Sequence, residues 1–478
     1  MLFLLAPALA LVQPAAKPVD LHTARLVGEK AITQELLRDY LTFIASDALQ
    51  GRDTPSPGLD AAAQFLAFNL KRFGVKPGGD NGTYFQKIPM VKNGFDEAKS
   101  SVVVGDKTLR YGESFAIDRG NGSASGTLVF VEKELGTTDV KGKVVWLGVE
   151  AESSVNDALE AGAVAVLKTI TSQNWSRRAQ FMSRRGGGGW RMERTPTPDP
   201  ATAPPVLSVS PDASAALQAG VGKEITVSAL AKLDRIFTQN VVGIVEGADP
   251  KLKSEYVAIG AHYDHVGVGT GPGDVIFNGA DDDGSGTTAV LAIADAASKA
   301  RPKRSLIFVW HAGEEKGLWG SSYFTDTPTV PIGQITAQLN IDMIGRSRPE
   351  GDTKPANKTL SGPNAIYVIG TTMMSTELGS IIHSTNAQYL KLTYDPQYDS
   401  PNDPNRFFFR SDHYNYARKG IPICFWFDGV HEDYHQVGDE VSKIDFAKME
   451  KIARTVFLTA VNVANLPQRP KVDKPLNR

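Results

Sequence analysis

The sequence predicts an α/β protein with a mixed, mostly parallel sheet sandwiched by helices and an inserted β-rich domain. From about residue 239 to residue 464, short apolar runs of strand length alternate with stretches of helical length. From about residue 91 to residue 233, β-rich runs follow one another with little helical pattern between them. Residues 33–73 carry apolar side chains at helical spacing, but they are too few to form a domain.

The β–α–β alternation carries the fold prediction. Its strand-like runs are 241–245, 256–260, 305–310, 338–341, 365–369 and 422–427. Its helix-like stretches include 287–300, 375–384 and 443–463. A helix between two such strands favours a parallel pair, and helices then cover both faces of the sheet.

The N-terminal helical segment is expected to pack on this α/β domain, which defines the domain boundaries. We predict residues 19–90 as the N-terminal helical part of one domain, 91–238 as the insertion and 239–478 as the main part. The insertion carries strand-like runs at 101–104, 126–131, 143–148 and 163–167, and a helical stretch at 155–162. A loop rich in glycine, arginine and proline is expected over 184–205.

Residues 1–18 are predicted to be a signal peptide, because a short apolar run is followed by small residues suited to cleavage. No other stretch is apolar enough for a membrane span. The formal net charge of −2 gives no basic face for nucleic acid. The one cysteine, Cys424, lies in an apolar run and is expected in the core. An exported chain without disulfides fits a bacterial periplasm or medium, and the sequence leaves the oligomeric state open.

Acidic and histidine side chains cluster where predicted strands end. His262 and Asp264 follow the run 256–260, and Asp282 lies among three consecutive acids that open the helix 287–300. Each feature also has a structural explanation: a loop histidine faces solvent, and acids cap a helix N-terminus. Three adjacent carboxylates repel one another, however, and a cation relieves this repulsion.

The later strands repeat the pattern. Glu314 and Glu315 follow the run 305–310, and Asp342 ends the run 338–341, where an unpartnered acid is costly to bury. A late cluster contains His413, His431 and His435, and for each of these histidines a structural role is the alternative. Ligands bind at the carboxyl ends of strands in open α/β sheets. Imidazole and carboxylate from several strand ends together form a set that suits zinc.

Five segments in order resemble the co-catalytic zinc aminopeptidases, a group that includes glutamate carboxypeptidases, the transferrin receptor and glutaminyl cyclases. They are Gly-Ala-His-Tyr-Asp-His (260–265), Asp-Asp-Gly-Ser-Gly (282–286), Gly-Glu-Glu (313–315), Asn-Ile-Asp-Met-Ile-Gly (340–345) and Asp-Tyr-His (433–435). The resemblance covers the chain from about residue 240 onward and implies a zinc exopeptidase fold. Residues 46–52 and 78–85 resemble the N-terminal segment of bacterial members, and the middle region is more loosely similar to a protease-associated domain.

The resemblance implies two zinc ions per chain. In that assignment His262 and Asp342 bind one ion, Glu315 and His435 bind the other, and Asp282 bridges the two. The family triplet before the helix is often Asn-Asp-Asp, whereas this chain has Asp281 as a further acid. We take Asp282 as the bridge, and whether Asp281 takes part in metal binding stays open.

The same resemblance assigns the remaining roles. Glu314 is implied as the general base, Asp264 as the partner that orients His262, and Tyr434 as a hydrogen-bond donor to the developing oxyanion. The peptide bond between Asp282 and Asp283 is implied to be cis, which is rare for residues other than proline.

The resemblance therefore implies an enzyme that hydrolyses the N-terminal peptide bond of peptides through a metal-bridging hydroxide. A carboxypeptidase of the same fold is an alternative, which needs a cationic pocket for the substrate carboxylate. Arg406, Arg410 and Lys419 are possible sources of that charge. A glutaminyl cyclase is a weaker alternative, and a binding protein that has lost catalysis is an alternative of a different class. The preferred side chain and the role of the insertion are not predicted.

Overall fold

The computed structural model describes residues 17–185, 189–474 and 476. The chain divides into two compact units, of which the first comprises Met1–Ile88 with Thr238–Arg478 and the second comprises Pro89–Phe237. The second unit covers nearly the same residues as the predicted insertion. Residues 1–16 of the predicted signal peptide lie outside the described residues.

The secondary structure of the described residues is as follows. In chain order the helices are α1 (Leu21–Ala31), α2 (Gln34–Ile44), α3 (Pro57–Arg72), α4 (Val155–Glu160), α5 (Ser172–Arg185), α6 (Ser214–Gln218), α7 (Gly286–Lys299), α8 (Trp319–Asp326), α9 (Thr376–Gln388), α10 (His413–Ala417) and α11 (Phe446–Asn465). The strands are β1 (Lys76–Pro77), β2 (Phe85–Phe95), β3 (Ser101–Val104), β4 (Lys107–Arg110), β5 (Phe115–Val131), β6 (Val144–Leu147), β7 (Ala165–Thr169), β8 (Arg191–Met192), β9 (Ala203–Val209), β10 (Glu224–Ala229), β11 (Ala231–Val245), β12 (Tyr256–His262), β13 (Ser305–His311), β14 (Ile335–Ile341), β15 (Ala365–Ile369), β16 (Thr393–Asp395) and β17 (Ile423–Phe427).

The sheet of the first unit has the strand order β16-β15-β17-β14-β12-β13-β11-β2, and β1 also pairs with β11 in antiparallel orientation. The neighbours β13–β12, β12–β14, β14–β17 and β15–β16 are parallel, whereas β11–β13 and β15–β17 are antiparallel. The predicted mixed, mostly parallel sheet is therefore confirmed. The predicted strands and helices of this half all form, with ends shifted by a few residues at most except at β11, which begins ten residues before the predicted run.

Alternating side chains of the central strands pack into two hydrophobic cores, one on each face of the sheet. In β13, Leu306, Phe308 and Trp310 belong to one core, and Ile307 and Val309 belong to the other. The first core takes in residues of α1, α2, α3, α7, α9 and α11, and the second takes in residues of α8 and α10. Helices on both faces explain why the strands are apolar along their whole length, as is typical of parallel sheets.

The second unit is built around a sheet with the order β4-β3-β10-β5-β6-β7-β9, and β5 also pairs with β9. Its core includes Val102, Leu128, Trp146 and Leu207. The predicted strands are present, and so is the predicted helix, as α4. That this unit is a protease-associated domain stays a prediction.

The structure of the second unit differs from the sequence prediction at two places. Helix α5 was not predicted, because its sequence is strongly polar and arginine-rich and has few apolar residues that could mark a buried face. The loop expected over 184–205 is shorter in the structure, since α5 continues to Arg185 and β9 begins at Ala203, and residues 186–188 lie outside the described residues. Among the helices that the structure describes, none is both long and apolar enough to cross a bilayer.

Candidate metal centre

The carboxyl ends of four parallel strands converge on one edge of the first unit's sheet. In the register of β12 and β13, His262 lies opposite His311, so the two strands end side by side. His262 is the last residue of β12, Glu314 and Glu315 follow β13, and Asp342 follows β14. His435 lies in the segment after β17 and has a positive φ of 54°. Strand topology thus brings together side chains that are far apart in the sequence.

One group of side chains lies around His262. Its Nε2 is 3.3 Å from Oδ1 of Asp282 and 3.6 Å from Oδ1 of Asp342. The other carboxylate oxygen of Asp342, Oδ2, accepts a 2.7 Å hydrogen bond from the hydroxyl of Ser411. All four residues are buried. Asp342 is therefore held by Ser411 at one oxygen and presents the other to His262.

A second group lies around His435, and it shares Asp282 with the first. Nε2 of His435 is 3.1 Å from Oδ2 of Asp282 and 3.0 Å from Oε2 of Glu315. His265 completes this group, with Nδ1 at 3.0 Å from Oε1 of Glu315. Within each group the candidate ligand atoms all lie within 4.8 Å of one another. The five residues that the resemblance implies as ligands thus fall into two groups, and Asp282 is common to both.

Asp281 belongs to neither group. Its Oδ1 accepts a 2.6 Å hydrogen bond from the N–H of Gly345, and its Oδ2 lies 3.2 Å from Nε2 of His431. The N–H groups of Asp281 and Asp282 both donate to the carboxylate of Asp439. The backbone of this segment therefore directs the side chains of Asp281 and Asp282 to different places, so that Asp282 joins the two groups and Asp281 does not.

Asp283 ties three segments of the centre together. Its carboxylate accepts hydrogen bonds from the N–H groups of His262 (3.2 Å), Gly286 (2.9 Å) and Met343 (3.1 Å). The peptide bond between Asp282 and Asp283 is cis, as the resemblance implies. Asp283 thus fixes the end of β12, the start of α7 and the residue after Asp342 relative to one another.

The electrostatics of the centre favour a cation. Burial opposes ionisation of Asp282, but the imidazoles of His262 and His435 outweigh it and hold the pKa of that carboxyl well below its usual range. Burial also opposes protonation of His435, yet the carboxylates of Asp282 and Glu315 raise its pKa to about 10. In the metal-free protein His435 therefore carries a proton at neutral pH, and a metal bound at its Nε2 would displace that proton.

The donor set fits a metal such as zinc. Asp282 Oδ2 and His435 Nε2 are buried, close together and without a hydrogen-bond partner among the described residues. The proton on His435 partly neutralises the two carboxylates in the metal-free protein, and a divalent cation bound between these groups would neutralise them more fully. Nitrogen and carboxylate oxygen donors in this number suit zinc, although ligand type alone does not exclude other divalent metals.

A small cleft, with a cavity volume of about 40 Å³, opens beside the two groups. Glu314 lines it next to His262, Asp282 and Asp342, and Tyr434 lines it from the segment after β17. Burial raises the pKa of the Glu314 carboxyl well above its usual range. Burial also raises the pKa of Tyr434, and nearby carboxylates add to this effect, so its hydroxyl stays protonated at neutral pH.

Asp264 contacts His262 as the resemblance implies, but the shorter contact is through its backbone. Nδ1 of His262 lies 3.2 Å from the carbonyl oxygen of Asp264 and 3.6 Å from its Oδ1. Oδ1 of Asp264 accepts a 3.1 Å hydrogen bond from the N–H of Glu314. Asp264 therefore links the predicted base to the predicted ligand His262.

The late histidines divide into different environments. His413 is fully buried, stacks on Phe425 at 4.5 Å and contacts the carbonyl of Phe408 through Nε2. Burial lowers the pKa of His413 to about 4, so it is neutral at physiological pH. His431 faces Asp281 and lies outside both groups. Of the late cluster, His435 alone joins the centre among the described residues.

Three cationic side chains were possible sources of charge for a pocket that binds a substrate carboxylate, and they lie in different places. Arg410 lines the cleft, and its guanidinium lies 5.0 Å from the ring of Phe407. Lys419 forms a 2.8 Å ion pair with Asp326, and Arg406 lies over the ring of Phe409 at 4.9 Å. Of these three, Arg410 is the one that lines the cleft.

Three residues that organise the centre were not predicted from the sequence: His265, Ser411 and Arg52. His265 and Ser411 stand beside recognised motif residues, so proximity to the motifs was the available signal. Arg52 lies about 210 residues before the motifs, yet its buried side chain donates to the carbonyls of Tyr263, Asn278 and Gly279. Residues 46–52 were noted only as a resemblance, and no property of Arg52 itself predicted these contacts.

Comparison with known proteins places this centre in a family. The family model described as peptidase family M28 matches residues 240–460. Leucine aminopeptidase 2 of Trichophyton equinum is 25% identical over 285 residues, which cover 54% of this chain and 52% of the relative. A probable leucine aminopeptidase 2 of Aspergillus oryzae is 28% identical over 264 residues, which cover 49% of this chain and 46% of the relative. The chain thus spans about half the length of these curated relatives.

Among solved structures, an aminopeptidase from Aneurinibacillus sp. strain AM-1 aligns with a TM-score of 0.49 at 19% identity, covering 95% of this chain and 98% of that chain. A zinc aminopeptidase from Bacillus subtilis aligns with a TM-score of 0.45 at 17% identity, covering 90% and 94% of the two chains.

Proposed function

Residues 240–460 of this chain belong to peptidase family M28, and on that premise we propose that the protein is a zinc aminopeptidase that binds two zinc ions. The observation that carries the proposal is the position of Asp282, whose two carboxylate oxygens face His262 and His435 separately. Asp342 completes one half of the centre and Glu315 completes the other. The names of the relatives, which are leucine aminopeptidases, support the same class of reaction.

The proposed chemistry is hydrolysis of the N-terminal peptide bond. Zinc, when bound, lowers the pKa of water and polarises a carbonyl oxygen. Glu314 lines the cleft next to the shared carboxylate, and its raised pKa suits a group that takes a proton from water and returns it to the leaving amine. Tyr434, with its hydroxyl protonated, donates a hydrogen bond to the oxyanion that develops on the scissile carbonyl.

The experiment that tests this proposal compares free and blocked peptides. We expect the zinc-loaded protein to cleave peptides with a free N-terminal amine and amino-acid p-nitroanilides, and to spare their N-acetylated counterparts. The Glu314→Gln variant, loaded in the same way, controls for a contaminating peptidase. Equal rates on free and acetylated peptides would exclude the aminopeptidase assignment. No cleavage of any substrate by the fully loaded protein favours a binding protein that has lost catalysis.

A carboxypeptidase is a second candidate, because the cationic side chain of Arg410 lines the cleft. An enzyme of this kind uses a fixed cation to bind the C-terminal carboxylate of its substrate. Peptides amidated at the C-terminus distinguish the two candidates, because a carboxypeptidase loses activity on them and an aminopeptidase does not.

Export from the cell and the identity of the inserted unit are also proposals. We propose that residues 1–18 are removed and that the protein acts outside the cytoplasm, in the periplasm or the medium if the host is bacterial. N-terminal sequencing of the mature protein tests this, with a start near Val19 as the expected result. We further propose that the second unit, Pro89–Phe237, is a protease-associated domain, on its β-rich architecture and the loose sequence resemblance.

A further inference from the structure

His265 lies inside the centre although the resemblance gives it no role. It follows β12 by three residues, is fully buried and belongs to the same half of the centre as Glu315 and His435. Its Nδ1 lies 3.0 Å from Oε1 of Glu315, within hydrogen-bond distance. The rings of His265 and His435 meet edge to face, with centroids 5.5 Å apart and planes at 75°.

The two oxygens of Glu315 face two different imidazoles. Oε1 lies 3.0 Å from Nδ1 of His265, and Oε2 lies 3.0 Å from Nε2 of His435. The carboxylate of Glu315 has few positions that satisfy both contacts at once. A contact to Oε1 therefore determines the direction in which Oε2 points.

The surroundings of the His265 ring indicate where its proton lies. Its Nε2 is buried and has no hydrogen-bond partner within the described ranges 17–185 and 189–474. A proton on Nε2 would leave a buried donor unsatisfied, which is costly, whereas an unprotonated Nε2 leaves only an unused acceptor. Of the two ring nitrogens, Nδ1 is therefore the donor, and it donates to Glu315. While this hydrogen bond is kept, Nδ1 is not available to a cation.

The ring is held in this orientation from two sides. The N–H of His265 donates to the carbonyl oxygen of Arg52 at 3.2 Å. Gly279, which has a positive φ of 56°, packs on the ring so closely that a Cβ there would lie 2.6 Å from Cγ of His265. Because the backbone and one ring face are both fixed, the Nδ1–H of His265 stays directed at Glu315.

We infer that His265 is a positioning residue of the proposed metal centre: it donates to Oε1 of Glu315 and so directs Oε2 toward the cation that His435 also binds. This inference rests on the proposed function only in that it takes a metal centre to exist. It assigns His265 to the half of the centre that contains Glu315, because Nδ1 lies 3.0 Å from Oε1 of Glu315 and 3.7 Å from Oδ2 of the shared Asp282, whereas Asp342 belongs to the other group. Partners that orient metal ligands by hydrogen bonds typically change metal affinity by about 10- to 100-fold.

Because the donor is Nδ1 and not Nε2, variants that replace one ring nitrogen but not the other can test this hydrogen bond. The side-chain amide of asparagine reaches about as far as Nδ1 of histidine, whereas that of glutamine reaches about as far as Nε2. We expect His265→Asn to keep the hydrogen bond to Glu315 and His265→Gln to lose it. His265→Ala removes the donor altogether. His383→Ala, at an exposed histidine on α9, is the matched control.

The test is zinc titration of the full-length, metal-free protein and its variants against a competing chelator, with elemental analysis of the loaded forms. We expect two zinc ions in the wild type, in His383→Ala and in His265→Asn. In His265→Ala and His265→Gln, one of the two zinc ions binds about 10- to 100-fold more weakly and the other is unaffected. Circular dichroism identifies any variant that does not fold, and in that case the comparison of His265→Asn with His265→Gln decides.

Two results would overturn the inference. If His265→Asn weakens zinc binding as much as His265→Ala does, Nδ1 is a ligand or the ring acts by packing, and donation to Glu315 is not its role. If His265→Ala binds both ions as the wild type does, His265 has no part in the centre. Because the readout is metal binding, a wild-type protein that binds two zinc ions but cleaves no peptide refutes the proposed activity and leaves this inference standing.

Discussion

The buried guanidinium of Arg52 donates a 2.9 Å hydrogen bond to the backbone carbonyl of Tyr263, the residue that follows the proposed ligand His262. Its other donors reach the carbonyls of Ile44, Asn278 and Gly279. Burial lowers the pKa of Arg52 to about 10, so it remains charged at neutral pH. One side chain of the N-terminal segment thus fixes the end of β12 relative to the segment that leads to Asp282.

Replacement of Arg52 by methionine is expected to destabilise the first unit. The variant leaves several buried carbonyls without a donor, at about 1–3 kcal/mol for each unsatisfied group. We therefore expect the free energy of unfolding to fall by roughly 3 kcal/mol or more. Denaturant unfolding of the metal-free protein measures this, with Arg25→Met at an exposed ion pair as the matched control. A stability equal to that of the control variant would contradict the role given to Arg52.

Glu314→Gln separates proton transfer from metal binding. Glu314 belongs to neither metal-ligand group, so we expect the variant to keep its zinc content. Loss of the general base should reduce kcat about 10²- to 10⁴-fold. Elemental analysis and steady-state kinetics on the same preparation measure the two properties, and Glu432→Gln at the surface is the control. Near-normal turnover by Glu314→Gln would exclude this residue as the base.

Tyr434→Phe tests the proposed oxyanion donor. The substitution removes one hydroxyl from the cleft and leaves the aromatic ring that stacks on His435 at 4.0 Å. We expect zinc content to be unchanged and kcat to fall about 10²- to 10³-fold, the usual effect of losing one oxyanion donor. Tyr414→Phe is the control on a neighbouring segment. A change confined to KM would assign Tyr434 to substrate binding instead.

The shared position of Asp282 predicts a difference in zinc stoichiometry between two variants. Asp282→Asn should weaken the binding of both zinc ions, because the two carboxylate oxygens of Asp282 face His262 and His435. Asp342→Asn should weaken the binding of one zinc ion, because Asp342 belongs to only one of the two groups. Asp281→Asn, which alters the adjacent acid outside both groups, should still bind two. Elemental analysis after dialysis against a weak chelator measures all three, and equal losses in Asp281→Asn and Asp282→Asn would refute the assignment of the bridge.

The buried His413 predicts a pH dependence of stability. Its pKa is about 4 in the folded protein, against the ordinary histidine value of 6.5 in the unfolded chain. Between these two values the unfolded chain binds the proton and the folded chain does not. The contribution of His413 to stability is therefore fully present above pH 6.5 and is lost as the pH falls toward 4, by roughly 3 kcal/mol.

The measurement compares unfolding at pH 7 and pH 4.5 for the metal-free wild type and for His413→Gln. Glutamine reaches the carbonyl of Phe408 but does not titrate, so the variant should lose less stability on acidification than the wild type does. His383→Gln, at an exposed histidine, is the control. Equal pH dependence in the wild type and His413→Gln would show that His413 does not carry this effect.

The amino-acid sequence by itself determined the strands of the first unit and the residues at their ends. The run 305–310 is apolar at nearly every position, because both faces of the sheet are covered, and such runs separated by helices favour parallel strands. Parallel strands place Glu315 and Asp342 at one edge, so local pattern predicted that acids and histidines meet there, and the family resemblance selected the five proposed ligands among them.

Only the tertiary structure decided how these side chains are supported. Asp281 and Asp282 are adjacent and chemically identical, and the backbone path held by Asp439 directs them to different partners. The contacts of Arg52 and His265 depend on chain segments about 210 residues apart coming together, and no local periodicity encodes a contact at that separation. Pattern predicts which face of an element is buried, whereas hydrogen-bond partners are set by the packed positions of distant segments.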